Sequence, residues 1–189
     1  MIPLKNSYTE EHKNVIIESQ LNYVFEKNLN VENKSPALIG KIDVKNSDAV
    51  IKYAENRIVN AKIENAVIIT KNGEVYHCTG ELNGLDPITK LGSKLNGATI
   101  THNHPKNSVG DGTFRDDDLK LFKNYKLNKL RGIDEKYCYE LNRNAEDIDT
   151  SNLPLDDITK LLDIKSNDYH EVITVRSFAN GWGYRRWKI

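Results

Sequence analysis

The sequence predicts an α/β domain, with helices flanking a mixed β-sheet, preceded by an N-terminal arm. Apolar runs of strand length alternate along the chain with longer segments of helical periodicity. Asn72-Gly73 separates two of the apolar runs, which predicts a β-hairpin. A third run ends in two histidines one residue apart. A chain of 189 residues accommodates one domain, predicted at 41–189, and an arm at 1–40.

The arm is polar and rich in Asn, Lys and Glu, with scattered apolar residues. Its apolar residues fit one amphipathic helix. They are Val15, Ile16, Leu21, Val24 and Phe25. We expect the arm to pack on the domain or on a neighbouring chain. Ser35-Pro36 and Gly40 mark its end.

The domain is predicted to begin with a helix over 47–58, in which Ser47 is the N-cap. One face of this helix is apolar, formed by Val50, Ile51, Ala54 and Ile58. The hairpin follows, with strands at 66–70 and 74–79. The spacing of Ile88, Leu91 and Leu95 then predicts a helix that ends at Gly97.

The histidine segment is central to the prediction. Ala98, Ile100 and His102 alternate as in a buried strand that runs into a polar loop. Residues two apart in a strand point to the same side, so His102 and His104 can converge on one point. Asp116, Asp117 and Asp118 begin a helix predicted over 116–125. Two nitrogen donors and one carboxylate, with a position left open, are the ligand set of a catalytic zinc site.

After this helix the pattern predicts strands at 130–134 and 136–141, then a polar loop over 142–152. A helix is predicted over 155–164, beginning near Pro154. Tyr169, Val172, Ile173 and Phe178 fit a final helix up to Gly181. Residues 182–187 form either a last strand or a basic tail. The cationic residues near the C-terminal end are Arg176, Arg185, Arg186 and Lys188. We expect them to be solvated, and the alternative is that they contact a nucleic acid or a partner protein.

Composition excludes some partners. Lys+Arg and Asp+Glu balance at 27 each, so no bulk charge indicates a nucleic acid or an anionic membrane. No apolar run approaches the length of a membrane span, and the N-terminus lacks the apolar core of a signal peptide. Cys78 and Cys138 lie in predicted strands and are not spaced as a metal pair. We interpret them as buried thiols in a reducing compartment and expect the chain in the cytoplasm.

A zinc site also needs a general base. Zinc lowers the pKa of a bound water to about 7, and a carboxylate within hydrogen-bond reach of that water can accept its proton. Glu64 is the first candidate because it enters the sheet beside the predicted histidine strand. Glu55, on the preceding helix, is the alternative, and Glu74 and Glu81 lie on the other arm of the hairpin. The isolated His12, His77 and His170 are interpreted as structural or exposed.

Two motifs resemble a known family. His102-Asn103-His104-Pro105, a Gly-bearing loop and Thr113-Phe114-Arg115-x-x-Asp118-Leu119 resemble the JAMM/MPN metalloprotease signature, H-x-H-P, a loop, then S-x-x-D. The closest forms are the "HNHP" branches: RadC-like proteins and JAMM-type domains of phage head-morphogenesis proteins and bacterial toxin cassettes. Residues 64–73 resemble the glutamate-strand-turn that opens those domains. The similarity covers about 64–143, less than half of the chain.

The resemblance implies a JAMM/MPN-like (cytidine deaminase-like) sheet with zinc bound by His102, His104 and Asp118. It implies Glu64 as the base and the hydrolysis of peptide or isopeptide bonds in a protein or peptide substrate. A phage- or toxin-system protein is the partner that the same branches imply.

The chain departs from the family at the serine that helps to stabilise the tetrahedral intermediate, because Arg115 stands there. Loss of one oxyanion donor typically costs about 100- to 1000-fold in rate. Arg115 can itself donate to an oxyanion or bind an acidic group, and Ser108 or Thr113 can substitute for the serine. The loop at 105–115 is also longer than the common form of the signature.

Three alternatives therefore stay open. Asp117 could be the ligand in place of Asp118, although the S-x-x-D spacing favours Asp118. The chain could be a catalytically weakened binding module in a phage- or toxin-linked assembly. The His-Asn-His run superficially matches a nuclease motif, but the other spaced histidines and a basic groove are lacking, so nucleic acid is a disfavoured partner.

Overall fold

A seven-stranded mixed β-sheet forms the centre of the structure, a computed structural model that describes residues 10–106, 108, 112–143, 170, 173–174, 176–177 and 180–189. The strands lie in the order β1-β3-β2-β4-β5-β6-β7. Their bounds are β1 Ala37–Lys41, β2 Asn65–Ile69, β3 Glu74–Thr79, β4 Thr99–Asn103, β5 Lys129–Ile133, β6 Tyr137–Asn142 and β7 Gly183–Lys188. The helices are α1 Glu10–Asn28, α2 Ser47–Ile58 and α3 Asp116–Asn124, with 3₁₀ segments at Val44–Asn46 and Asp86–Leu95.

The parallel pair in this sheet is β4 and β5, and the other neighbouring strands are antiparallel. Parallel neighbours cannot be joined by a tight turn, so the chain must cross over between them. Helix α3 lies in that crossover, and its first turn follows the loop that leaves the end of β4. The histidines at the end of β4 and the aspartates at the start of α3 are therefore brought to the same edge of the sheet.

The two faces of the sheet bury different helices. Helices α1 and α2 pack on one face against Val67, Ile69 and Val75. Helix α3 packs on the other face through Leu119 and Phe122. Strand side chains alternate between the faces, so β4 directs Ile100 and His102 towards α3 and Thr101 and Asn103 towards α2.

The arm predicted at 1–40 is integrated with the sheet from Glu10 onwards. Its helix α1 buries Ile17, Leu21 and Phe25, spaced four residues apart on one stripe. The predicted apolar face was wrong at Val15 and Ile16, which are 60% and 45% exposed. Strand β1 pairs with β3, and the predicted boundary at residue 40 therefore falls inside a strand.

Most other predicted elements in the described chain are confirmed. Helix α2 has the predicted bounds, although Ser47 is its first helical residue and Asn46 occupies the N-cap. The helix predicted over 88–97 is instead a 3₁₀ segment, broken at Gly92, which has φ of 54°. Residues 182–187 belong largely to β7 and are not a free tail. Of the polar loop predicted over 142–152, Asn142 ends β6 and residues 144–152 lie outside the described residues, as do the helix predicted over 155–164 and part of the final helix predicted over 169–181.

Helices long and apolar enough to cross a membrane are absent from the described part of the chain.

Candidate metal centre

His102, His104 and Asp118 converge at the carboxyl end of β4. The Nε2 atoms of His102 and His104 lie 3.0 Å apart. His102 Nε2 is 3.0 Å from Asp118 Oδ1, and His104 Nε2 is 3.4 Å from Asp118 Oδ2. The two imidazoles are buried, and the Asp118 side chain is 13% exposed. One ligand atom from each residue lies within 4.8 Å of the others, so the three residues can hold a metal ion.

Asp118 rather than Asp117 faces the imidazoles. Asp117 points to solvent, where its carboxylate pairs with Lys120 at 2.7 Å. Asp118 Oδ2 also accepts a hydrogen bond of 2.8 Å from the Arg115 backbone N–H, as part of a capping box at the start of α3. Burial alone would raise the pKa of Asp118, but the two adjacent imidazoles hold it well below its usual range. The carboxylate therefore stays anionic, as a metal ligand must be.

Tyr139 orients one of the imidazoles. Its hydroxyl lies 2.7 Å from His104 Nδ1, and this contact leaves Nε2 directed at His102 and Asp118. Tyr139 reaches His104 from β6 across the intervening β5, where Gly132 pairs with both Tyr139 and His102. A Cβ on Gly132 would lie 2.1 Å from Tyr139 Cε2, so only a glycine leaves room for the ring. The sequence motifs did not identify Tyr139, although it lies in the strand predicted at 136–141.

Glu64 is held near the same site by Asn103. The Asn103 side chain accepts a 2.7 Å hydrogen bond from the Asn65 backbone N–H and donates one of 3.1 Å to the Ile63 carbonyl. These bonds tie the segment that carries Glu64 to the end of β4. Glu64 itself continues the ladder between β2 and β3 through backbone bonds of 2.8 Å with Gly80 and Glu81. The middle residue of the His-Asn-His run thus positions the glutamate and does not face the metal cluster.

A cleft of about 400 Å³ opens over the cluster, and Glu64, His102, Arg115 and Asp118 line it together. The Glu64 carboxylate is 3% exposed and forms an ion pair with the Arg115 guanidinium. The segment from Glu81 to Thr89 forms one wall of the cleft, and the first turn of α3 forms the other. The two residues predicted as catalytic therefore contact each other in a cleft that His102 and Asp118 also line.

Glu55, the alternative base, lies on the opposite face of the sheet. It accepts hydrogen bonds of 2.9 Å from Thr101 Oγ1 and from Arg131 Nη2. Burial raises the pKa of Glu55, and the Arg131 guanidinium only partly offsets that effect. Because Thr101 and His102 point to opposite faces of β4, Glu55 cannot reach a water held by the histidines. The sequence did not show which face of the sheet Glu55 occupies, because the helical periodicity of α2 does not determine how the helix is oriented relative to β4.

The remaining candidates take structural roles. Thr113 Oγ1 bonds to the Tyr184 hydroxyl at 2.7 Å, and Ser108 Oγ is buried without a hydrogen-bond partner among the described residues. Glu81 lines the cleft, whereas Glu74 pairs with Lys94 at 3.1 Å.

Two of the isolated histidines also have partners within the fold. His77 is buried and contacts Asn65 Oδ1 at 3.0 Å, and His170 contacts the Tyr184 hydroxyl at 3.0 Å. The His12 side chain lies outside what the structure describes.

The cations near the C-terminal end are engaged as well. Arg185 pairs with Glu140 at 2.9 Å, and Arg186 donates to the Gly112 carbonyl at 3.0 Å. Arg176 forms an ion pair with Asp116. These contacts engage the three arginines, although the Arg185 and Arg176 side chains remain 63% and 41% exposed to solvent.

Comparisons with models of known protein families, with curated proteins and with solved structures each found no match to this chain. The assignment of a function therefore depends on the geometry of the site and on the sequence motifs.

Proposed function

We propose that the chain is a zinc-dependent hydrolase of peptide or isopeptide bonds, with a JAMM/MPN-like arrangement of its site. One observation carries the proposal: Glu64, a carboxylate outside the ligand set, shares a single cleft with His102 and Asp118, and His104 Nε2 lies 3.0 Å from His102 Nε2. Three ligands, an accessible side and a neighbouring base are the parts that a metal-dependent hydrolase requires.

The donor set supports zinc as the ion. Two imidazole nitrogens and one carboxylate oxygen suit this metal, and structural zinc sites would instead use four protein ligands. Ligand atoms about 2.0–2.1 Å from a tetrahedral ion lie about 3.3 Å from one another. The two Nε2 atoms lie 3.0 Å apart and His102 Nε2 lies 3.0 Å from Asp118 Oδ1, both close to this spacing, while His104 Nε2 lies 3.4 Å from the other carboxylate oxygen, Oδ2. The hydrogen bond between Tyr139 and His104 supports the assignment of His104 as a ligand, because ligating imidazoles usually engage their second nitrogen, whereas His102 Nδ1 is buried without a partner among the described residues.

A zinc ion held by His102, His104 and Asp118 would supply a water of lowered pKa and would polarise a substrate carbonyl. Glu64 would accept a proton from the attacking water as the water oxygen bonds to the carbonyl carbon, and would give that proton to the leaving amine as the C–N bond breaks. Burial of Glu64 excludes bulk water from this transfer. The Arg115 guanidinium lines the same cleft and can donate to the carbonyl oxygen as negative charge develops on it.

The proposal is tested with purified protein loaded with zinc. We expect about one zinc per chain by metal analysis and cleavage of a library of peptide and isopeptide substrates, both lost after treatment with a chelator. Glu64→Gln should retain zinc but lose cleavage by at least about 100-fold, the scale of a general base. Glu74→Gln, at a carboxylate that pairs with Lys94 outside the cleft, is the matched control and should cleave as the native protein does. Zinc binding without cleavage of any peptide or isopeptide would refute the proposal.

A second candidate is a binding module in a phage- or toxin-linked assembly, with catalysis weakened. The ion pair between Arg115 and Glu64 favours it, because the guanidinium occupies the base. Arg115→Ser separates the two functions: a large gain in cleavage would indicate a weakened enzyme. A cytoplasmic location is also part of the proposal, supported by Cys78 and Cys138, which are buried free thiols.

A further inference from the structure

Arg115 is the only lysine or arginine among the described residues that line the cleft. Its backbone is fixed, because it is the N-cap residue of α3 and donates to Asp118 Oδ2. Its side chain is 17% exposed and extends across the cleft to Glu64. Arg115 is therefore anchored at one end and accessible from the cleft at the other.

The ion pair conflicts with the role of Glu64 as a base. A carboxylate oxygen that accepts a hydrogen bond from a guanidinium is occupied, and its negative charge is stabilised. The contact uses Glu64 Oε1 and Arg115 Nη2. A group that satisfied the guanidinium in place of Glu64 Oε1 would free this oxygen to accept a proton from the reacting water. An anionic group on the substrate can do so, because the planar guanidinium binds carboxylates in fork geometry.

The net charge at the floor of the cleft, formed by Glu64, Asp118 and Arg115, favours an anionic group on the substrate once a metal ion is bound. Without a metal ion, the two carboxylates exceed the one guanidinium and the floor is negative. A divalent cation bound by His102, His104 and Asp118 would add two positive charges, and the net charge of the floor would become positive. At low local dielectric, a buried positive floor attracts an anion more strongly than the same charges would in water.

The rim of the cleft is acidic but exposed. Glu81 accepts a 2.7 Å hydrogen bond from Asn33, and Asp117 is paired with Lys120 at 2.7 Å. Asp86 is exposed on the wall opposite α3. Exposed charges interact at a higher effective dielectric than buried ones, so the rim opposes an anionic substrate less than the floor attracts it.

We infer that Arg115 makes the cleft selective for substrates that carry a carboxylate beside the scissile amide, and that this carboxylate draws Arg115 away from Glu64. The inference rests on the proposed hydrolase function, because it names the substrate class of that site. Its central claim is that an anion and Glu64 compete for one guanidinium. That competition can be measured without any catalysis.

The test uses two matched, N-acetylated and C-amidated tetrapeptides, Ala-Glu-Ala-Ala and Ala-Gln-Ala-Ala, titrated by calorimetry into zinc-loaded protein. The Glu peptide should bind at least about tenfold more tightly than the Gln peptide, and Arg115→Gln should remove the difference. Glu64→Gln should bind the Glu peptide more tightly than the native protein, by roughly threefold or more, because the competitor is neutral. Arg57→Gln, on α2 at the other face, should match the native protein.

Equal binding of the two peptides to the native protein, or preference retained in Arg115→Gln, would overturn the inference. Weaker binding of the Glu peptide to Glu64→Gln would do so as well. Metal analysis and thermal unfolding of each variant show whether a loss of binding reflects loss of zinc or of the fold. If the selective binding is observed but neither peptide nor isopeptide is cleaved, the hydrolase proposal fails while the selectivity of Arg115 stands.

Discussion

Removal of the Tyr139 hydroxyl should weaken metal binding without removing any ligand. In Tyr139→Phe, the 2.7 Å contact with His104 Nδ1 is lost, while the ring keeps its edge contact with Phe114 at a centroid distance of 4.8 Å. His104 then loses the bond that fixes its orientation. Loss of such a partner typically costs about 10- to 100-fold in metal affinity, or about 1.4–2.8 kcal/mol.

Competition with a fluorescent zinc chelator at neutral pH measures this affinity. Tyr137→Phe is the control. Tyr137 lies on the same strand, but its ring packs against the Arg186 guanidinium, whose Cζ lies 4.5 Å from the ring centroid. Urea unfolding of the metal-free variants gives the separate cost of leaving His104 Nδ1 unsatisfied, about 1–3 kcal/mol. Native zinc affinity in Tyr139→Phe would refute the argument that Tyr139 orients the ligand.

Three further predictions concern stability, each measured by urea unfolding. Gly132→Ala should lower the free energy of unfolding by about 1–3 kcal/mol, because the added Cβ would overlap the Tyr139 ring. Gly84→Ala is the control, because a Cβ at Gly84 would have no atom within 4 Å. Equal stability of the two variants would contradict the packing argument. Asn103→Ala should lose about 1–3 kcal/mol, because the backbone groups that its side chain satisfies become unpaired, and an unchanged free energy of unfolding would disprove this role. Burial lowers the pKa of His77 to about 4 from 6.5, so the unfolded state binds more protons between these values and stability is lost as pH falls through that range. The loss of stability from pH 7 to pH 4.5 should be about 2–3 kcal/mol smaller in His77→Gln than in the native protein, and identical pH profiles would exclude this contribution.

Local patterns predicted the elements that hold the candidate site. The alternation around Ile100 and His102 placed both histidines at the end of one strand, which is β4 in the structure. The three aspartates marked the start of α3, and the Asn-Gly turn located the hairpin of β2 and β3. Each of these features depends on residues close together in the chain, where periodicity and turn preference act directly.

Features that depend on long-range packing were not readable from the sequence. Several partners could satisfy Arg115, and its pairing with Glu64 joins residues 51 positions apart. The orientation of α2 decides that Glu55 meets Arg131 and not the imidazoles. The apolar stripe of α1 was misassigned at Val15 because neighbouring apolar residues allow more than one face of the helix to be chosen.

The zinc site itself is tested most directly by anomalous diffraction at the zinc absorption edge, from crystals of protein purified with zinc. The proposal predicts one ion about 2.0–2.2 Å from His102 Nε2, His104 Nε2 and an Asp118 carboxylate oxygen, with Glu64 on its open side. An anomalous peak bound by other residues, or none at these three in zinc-saturated protein, would contradict it.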